Sequence, residues 1–303
     1  MERELYQYLK TLVPDDRIKK NEPMDRHTSF KVCGPADFFV CPGNAAELSK
    51  LIIGLNRENI PRLVLGNGSN MLIGDKGIRG VVVHLIPGLS DITIKENRIT
   101  ADAGAILSSV SKMALDAALT GLEFASGIPG TVGGAMVMNA GAYGGEMADI
   151  VESVEVLLPD GQVSRLQGAQ LEFGYRDSIF KRSDYIALKT VFILSRGDRQ
   201  EIGSHMQELK EKRQEKQPLQ YPSAGSTFKR PKDSFAGKLI MEAGLSGFSI
   251  GGAQVSEKHC GFIINKGGAT AADIRALIEA VQEKVRDSFG VELEPEVCMA
   301  GEF

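Results

Sequence analysis

Two glycine-dense stretches constrain this chain more than any other feature: Leu63-Val-Leu-Gly-Asn-Gly-Ser-Asn-Met-Leu-Ile and Ala125-Ser-Gly-Ile-Pro-Gly-Thr-Val-Gly-Gly-Ala. Glycines at this density let backbone N–H groups converge on an anion with no Cβ in the way. Neither stretch fits the common nucleotide loops. A Rossmann fingerprint needs a third Gly or Ala where Met71 stands, and a helix opening directly from the loop. Here Met71-Leu-Ile runs through Gly74 and Gly77 to Val81-Val-Val, so the loop joins strand to strand. No Gly-Lys-Ser/Thr follows either stretch, which excludes a P-loop. What remains is a pyrophosphate cradle built from strand-flanked loops, which points to a flavin dinucleotide.

The rest of the composition narrows the chemistry. A chain of 303 residues, 43% hydrophobic and 24% charged, can bury more than one core and is ordinary for a globular enzyme. A net charge of −4 argues against nucleic acid as a partner while permitting a local basic pocket for a small phosphorylated ligand. The opening Met1-Glu-Arg-Glu-Leu-Tyr-Gln is too polar for a signal peptide, and no apolar run is long enough to span a bilayer. A cytoplasmic location with no membrane partner is therefore expected. Cysteines at 33, 41, 260 and 298 form no C-x-x-C pair, and the four histidines are scattered, so neither a metal site nor a disulfide framework is expected. Chemistry without Cys, His or metal points to a cofactor that performs the hard step.

Along the chain, Asn44-Ala-Ala-Glu47 reads as a capping box ahead of Leu48, Leu51, Ile52 and Leu55 at helical spacing. Pro61 ends that helix, and residues 62–65 read as a buried strand entering the first glycine loop. Residues 92–101 alternate, and 106–119 read as a helix with Leu107, Val110, Met113 and Ala114 on one side. Seven glycines between Gly127 and Gly145 are too many for a stable helix or strand, so that region is expected to be a tightly wrapped loop. Residues 151–158 and 162–166 flank Pro159-Asp-Gly, a hairpin signal, and 185–194 form another strand. A charged helix from 199 to about 215 crosses a domain boundary. The last part holds a compact segment at 244–252 and a long helix opened by Thr270. In that helix Ile274, Leu277, Ile278, Val281, Val285 and Phe289 face a sheet, and Gly290 caps it. Val291-Glu-Leu-Glu-Pro-Glu-Val reads as a final strand. The pattern is α+β in three lobes: residues 1–83, 84–198 and 199–303.

Three polar residues stand in unusual settings. Arg176 lies in Phe173-Gly-Tyr-Arg-Asp-Ser-Ile-Phe, where it could grip a carboxylate bidentately or pair with Asp177. Ser226 follows Ala224-Gly225 with no nucleophile elbow; its hydroxyl could protonate a basic carbanion or bond its own turn. Glu296 follows Pro295 and, alone, reads as a solvated strand residue.

Together the motifs resemble one family, UDP-N-acetylenolpyruvoylglucosamine reductase. Those that match are His27-Thr-Ser-Phe-Lys, Gly66-Asn-Gly-Ser-Asn, Gly127-Ile-Pro-Gly-Thr-Val-Gly-Gly, Asn139-Ala-Gly-Ala-Tyr-Gly, Phe173-Gly-Tyr-Arg-Asp-Ser-Ile-Phe-Lys, Ala224-Gly-Ser-Thr-Phe-Lys-Arg-Pro and Leu293-Glu-Pro-Glu-Val, in the family's order over about residues 26 to 297. The resemblance implies a two-lobed FAD-binding domain of the vanillyl-alcohol-oxidase (PCMH) type, plus a C-terminal α+β substrate-binding domain. It implies non-covalent FAD beside Gly66, Asn67, Gly68, Ser69, Asn70, Gly127, Ile128, Pro129, Gly130, Thr131, Gly133, Gly134, Asn139 and Gly141. NADPH and the enolpyruvyl ether of UDP-N-acetylglucosamine would alternate at the flavin, giving UDP-N-acetylmuramate for peptidoglycan, and hence for cell wall biogenesis, cell shape and cell division. By the same resemblance Arg176, Ser226 and Glu296 are catalytic, with Ser226 the proton donor, and Arg213 and Lys216 face substrate phosphates. The short link between Leu194 and Arg199 implies the shorter subtype, without an inserted substrate-covering loop; Tyr221 is one candidate to cover the diphosphate.

Reducing an enol ether attached to a carboxylate needs a hydride at one carbon and a proton at its neighbour. Negative charge then develops on the carboxylate and adjacent carbon, which Arg176 would stabilise. Glu296 must be either protonated or partnered by Arg176. Two rivals are an FAD-dependent oxidase of the same fold and a non-enzymatic nucleotide-binding protein. No Cys–His pair suited to covalent flavin is apparent for the first, and the second has no need of Arg176, Ser226 and Glu296 together.

Overall fold

A computed structural model describes residues 2–32 and 34–303, so Cys33 lies outside the described residues. The chain forms two compact units that do not run consecutively. The first comprises the chain up to Lys20, Phe38–Asn67 and Gly80–Lys212; the second comprises Asn21–Asp37, Gly68–Arg79 and Arg213–Phe303. Burial explains why the second unit draws on early sequence: Phe30, Val32 and Leu72 belong to the same core as Ile274 and Leu277. A boundary at 83/84 falls inside the first unit, and one at 198/199 falls short of its end at Lys212.

The first unit carries α1 (Glu2–Leu12), α2 (Ala45–Arg57), α3 (Leu107–Asp116), α4 (Val132–Met138) and most of α5 (Arg199–Lys216). Its main sheet is antiparallel, in the order Val163–Leu166, Val151–Leu157, Ile186–Ile193, Arg98–Asp102, Ile92–Lys95. The hairpin across Pro159-Asp-Gly is present, with Gly161 at φ +87° supplying the left-handed turn residue. Its strand Arg62–Leu65 pairs in parallel with the later part of Ile78–His84, setting Leu65 opposite His84 and delivering the chain to Gly66. In α2, Asn44 accepts the Glu47 N–H at 2.9 Å, but the reciprocal bond of a capping box is not made. The Glu47 carboxylate turns instead to the Gly43 N–H and Arg17. Leu9 of α1, a helix with no sequence expectation attached, is fully buried in the same core as Leu51 and Leu55.

Several expectations change here. Residues 92–101 are two strands, because Glu96 at φ +58° turns the chain back. The helix expected to reach 119 ends at Asp116, and Leu119–Thr120 pairs with Ser195–Arg196. The second glycine region is not all loop. Its Val132–Met138 segment is helical, capped by Thr131, whose hydroxyl accepts the Gly134 N–H at 3.3 Å. Gly133 is required by packing, since a Cβ there would stand 2.9 Å from the Ala103 methyl.

In the second unit a three-stranded antiparallel sheet, in the order Ser249–Ile250, Ala253–Val255, Ile263–Asn265, packs against α7 (Ala271–Phe289); α6 (Ala236–Glu242) belongs to the same core. Thr270 and Asp273 form a reciprocal capping box, which holds the Asp273 carboxyl below its ordinary range chiefly through the Thr270 N–H bond. Asp75 accepts the Ala271 and Ala272 N–H groups at 2.8 and 2.9 Å, satisfying two more first-turn donors. Ile274, Leu277, Ile278, Val281 and Val285 are fully buried, each stabilising the fold by about 1.5–3 kcal/mol. Phe289 departs from that face and is 40% exposed, while Gly290 closes the helix at φ +66°. The final strand is displaced from 291–297 to Cys298–Ala300, which pairs in parallel with Met71–Ile73. No helix among the described residues is long and apolar enough to cross a membrane.

Candidate active site

In the first unit the two glycine stretches touch. A Cβ on Gly66 would stand 2.2 Å from Thr131 Oγ1, so only glycine allows the strand to end against the α4 cap. One residue on, the Asn67 amide donates to the Pro129 carbonyl at 2.6 Å. Together Gly66, Thr131, Gly133 and Gly134 line a cleft of about 650 Å³, closed by Val64, Leu85, Val137, Phe180, Tyr185 and Ala187 among others. That size and mixture of apolar wall with exposed backbone suit a dinucleotide. The first-turn amides of α4 are not free to serve it. Val132 and Gly133 donate to the Ala105 and Ala103 carbonyls at 2.8 and 2.7 Å, and Gly134 donates to Thr131. The cleft's fit to FAD therefore rests on the surface offered by the cap and by Gly134, which is exposed and whose added Cβ would meet nothing nearer than Thr131 Oγ1 at 3.5 Å.

Asn139 and Gly141 serve the protein itself. Asn139 is 1% exposed and ends α4 in the left-handed region at φ +40°. Its amide donates to the Gly174 carbonyl at 3.0 Å and accepts the Ala148 N–H at 2.9 Å. Gly141 lies within a small hairpin, where a Cβ would press to 2.8 Å on the Gly145 carbonyl. Gly174 and Asp177 bond to each other across a tight turn whose corners are Tyr175 and Arg176. Asn139 thus fixes the turn that carries Arg176.

Arg176 sits at φ +53°, a strained position for a non-glycine residue, half-buried, with its guanidinium 5.5 Å from the exposed Tyr175 ring. Lys181 donates to its carbonyl at 3.0 Å. The Asp177 carboxylate is engaged by Arg182, which also bonds Glu172 at 2.8 Å. Partial burial acts to raise the Asp177 pKa, but the Arg182 bond and charge outweigh it and hold the carboxyl below its ordinary range.

The second unit holds Gly68, Ser69, Asn70, Arg213, Lys216, Ser226 and Glu296. Gly68 needs its φ of +57° and its missing Cβ for an internal reason: a Cβ would lie 2.0 Å from the His27 carbonyl. Ser29 clamps the same loop through its N–H to Gly68 O and its hydroxyl to Ser69 O, both at 3.2 Å. His27 is held in turn by Glu22 at 2.9 Å. The His27-Thr-Ser motif is therefore the bed of the first glycine loop. Asn70 ties that loop to the chain end, its amide donating to the Glu296 carbonyl and its carbonyl accepting the Cys298 N–H, each at 3.0 Å.

Ser226 is exposed and follows Gly225 at φ +78°. Its neighbour Thr227 is fully buried and bonded three ways: N–H to Gly261 O at 2.8 Å, hydroxyl from the Ile263 N–H at 3.0 Å, and carbonyl from the Glu296 N–H at 2.8 Å. The last bond brings the Ser226 and Glu296 segments side by side. Arg213 bonds Gln217 at 2.9 Å in the last turn of α5, and Lys216 is exposed one residue before it. Lys266 covers the Tyr221 ring at 4.6 Å. Sequence reasoning did not mark Val64, Phe180 or Tyr185 as cleft residues, although Val64 enters the first glycine stretch and Phe180 lies in the motif that carries Arg176. Sequence separation also hid one Cys–His contact, Cys41 Sγ to His84 Nδ1 at 3.9 Å.

Residues 36–167, which contain the glycine-bearing strand end and the capped short helix beside the cleft, match the family described as FAD binding domain, and so place the chain in a class of flavoproteins. A solved neighbour of the same fold is 4-ethylphenol oxidase from Gulosibacter chungangensis, with TM-score 0.50 at 16% identity over 64% of this chain and 42% of that one. Residues 217–300 match the family described as UDP-N-acetylenolpyruvoylglucosamine reductase, C-terminal domain. The UDP-N-acetylenolpyruvylglucosamine reductase of Thermus caldophilus superposes with TM-score 0.81 at 35% identity, covering 93% of this chain and 97% of that one. The UDP-N-acetylenolpyruvoylglucosamine reductase of Caldanaerobacter subterraneus is 54% identical over 97% of both chains. The chain belongs to the UDP-N-acetylenolpyruvoylglucosamine reductase family, FAD-dependent reductases of peptidoglycan precursor synthesis. Likeness to the oxidase is one of fold alone.

Proposed function

We propose that this enzyme uses NADPH to reduce the enolpyruvyl ether of UDP-N-acetylglucosamine to UDP-N-acetylmuramate, with non-covalent FAD in the cleft of the first unit. Bound FAD contributes the hydride. The chain supplies orientation, charge and the proton. Thr131, Gly134 and the loop through Gly66, Asn67, Gly68, Ser69 and Asn70 hold the cofactor, together with Gly127, Ile128, Pro129 and Gly130. Arg176, fixed by Asn139 through Gly174, grips the substrate carboxylate and stabilises charge that develops there. Ser226 delivers a proton to the adjacent carbon, and Glu296 lies beside it on the Thr227–Glu296 bond. Arg213 and Lys216 take the nucleotide phosphates. A cytoplasmic location belongs to the same reading.

The observation that carries this assignment is the framing of Ser226: an exposed hydroxyl on a segment whose next residue is bonded three ways and joined to Glu296. Such framing gives a weak acid a fixed aim without an activating base. The test is anaerobic turnover. NADPH should be consumed only when the enolpyruvyl substrate is present, with UDP-N-acetylmuramate formed in equal amount. Rapid NADPH consumption with oxygen alone, and none with the substrate, would overturn it.

A further inference from the structure

His259 stands behind Ser226 at two removes. The Gly261 carbonyl accepts the Thr227 N–H at 2.8 Å, and the Gly261 N–H donates to His259 Nδ1 at 3.1 Å. Two hydrogen bonds, joined through the Gly261 main chain, therefore link the imidazole to the residue after Ser226. The ring is fixed on several sides. It meets Phe262 edge-on with centroids 5.0 Å apart, and α6 brings Gly237 so close that a Cβ there would lie 3.4 Å from His259 Cε1. Its main chain is held too, the N–H by Ser256 Oγ at 3.3 Å and the carbonyl by the Phe262 N–H at 2.9 Å.

We propose that His259 is a positioning residue for proton transfer at Ser226: its neutral Nδ1 holds Gly261, and Gly261 holds Thr227, so the serine keeps its aim only while the ring carries no charge. The inference rests on Ser226 as proton donor. Because Nδ1 accepts a bond, the ring proton is on Nε2. A second proton would turn Nδ1 into a donor facing the Gly261 donor, and Gly261 is buried where water cannot replace the lost bond. Burial lowers the His259 pKa, with its own main chain opposing to a smaller degree, which favours the neutral ring. The stabilisation from the neutral ring is present above the ordinary imidazole range and is lost as pH falls through the lowered value. Several charged groups stand on the surrounding elements. Lys238 and Glu242 of α6 pair at 3.8 Å, Lys258 donates to the Gln214 carbonyl at 2.7 Å, and Lys229 pairs with Glu294. Glu257 faces Gly247, and Arg230 lies 4.5 Å from the Phe235 ring. Glu296 reaches Thr227 through its N–H.

The experiment follows substrate-driven reoxidation of the NADPH-reduced holoenzyme by stopped flow across pH. Wild type should show a fall in rate on the acid side. His259→Asn places an amide oxygen near the Nδ1 position and cannot titrate. It should keep the rate within about threefold and lose that acid limb, while His259→Leu, with a buried donor unsatisfied, should slow reoxidation about ten- to a hundredfold. Reduction by NADPH should be unchanged in both. Nitrogen-15 spectra of the ring should report the Nε2–H form at neutral pH. An Nδ1–H ring, a flat wild-type profile, or an unaltered acid limb in His259→Asn overturns the proposal, and the last decides even where His259→Leu fails to fold. Ser226→Ala in parallel separates the two claims. If it reoxidises at the wild-type rate, the donor assignment falls and takes this inference with it; if it is slow while His259→Asn keeps the acid limb, the inference alone fails.

Discussion

At Asn139 one buried side chain secures two segments, the turn at Gly174 and the backbone at Ala148, while its own backbone closes α4 at φ +40°. Asn139→Ala would remove both bonds, to the half-buried Gly174 carbonyl and from the exposed Ala148 residue's N–H, and add left-handed strain. The expected loss is about 2–4 kcal/mol of stability, seen as a lowered Tm. The purified variant should also reoxidise slowly with substrate, because the Arg176 turn loses its brace, while NADPH reduces it normally. A wild-type reoxidation rate would detach Arg176 from Asn139. None of this was legible in the sequence. Asn139 stands out in the sequence only through its motif; the Gly174 partner is 35 residues away and nothing local marks it. Arg176 was conspicuous among aromatics, yet the cation that meets Asp177 is Arg182.

At the scale of elements, periodicity and caps were readable where the element is long and one-sided. The helix α7 appears with Thr270 and Gly290 at its ends because five apolar residues recur on one face over nineteen residues. The seven-residue α4 could not be read that way. Gly133 and Gly134 weaken helix propensity, and what compensates is Thr131 and the close approach to Ala103, both outside any local pattern. The final strand was misplaced by a few residues because pairing with Met71–Ile73, far off in sequence, decides its register. Two glycines now separate protein packing from ligand approach. Gly68 cannot accept a Cβ for internal reasons, so replacing it tests folding rather than cofactor binding. Gly134 is exposed, helical and unobstructed to 3.5 Å. Gly134→Ala should raise stability by roughly 0.5–1 kcal/mol through helix propensity, yet weaken FAD binding at least tenfold if the cofactor lies on that surface. Flavin fluorescence titration of the apoprotein checks it, and unchanged affinity would move FAD away from α4.

At the scale of the molecule, two cores and two glycine stretches divide the tasks. The stretches meet in the first unit at Gly66–Thr131 and Asn67–Pro129, beside the cleft we propose for FAD. The second unit frames Ser226 and Glu296 through Thr227, with His259 behind them. Sequence motifs sufficed for the family and the cofactor because close packing at Gly66, Gly68 and Gly133 leaves glycines in view. The discontinuous units were hidden because a core such as Phe30 with Ile274 leaves no local trace. The central claim is that Ser226 delivers the proton that completes reduction of the enolpyruvyl double bond. Its most direct test is anaerobic stopped flow on Ser226→Ala, following each half of the cycle separately. The account predicts normal FAD content and normal reduction by NADPH, with reoxidation by the enolpyruvyl substrate slowed about a hundred- to ten-thousandfold. Reoxidation at the wild-type rate, with an unchanged solvent deuterium effect, would contradict it.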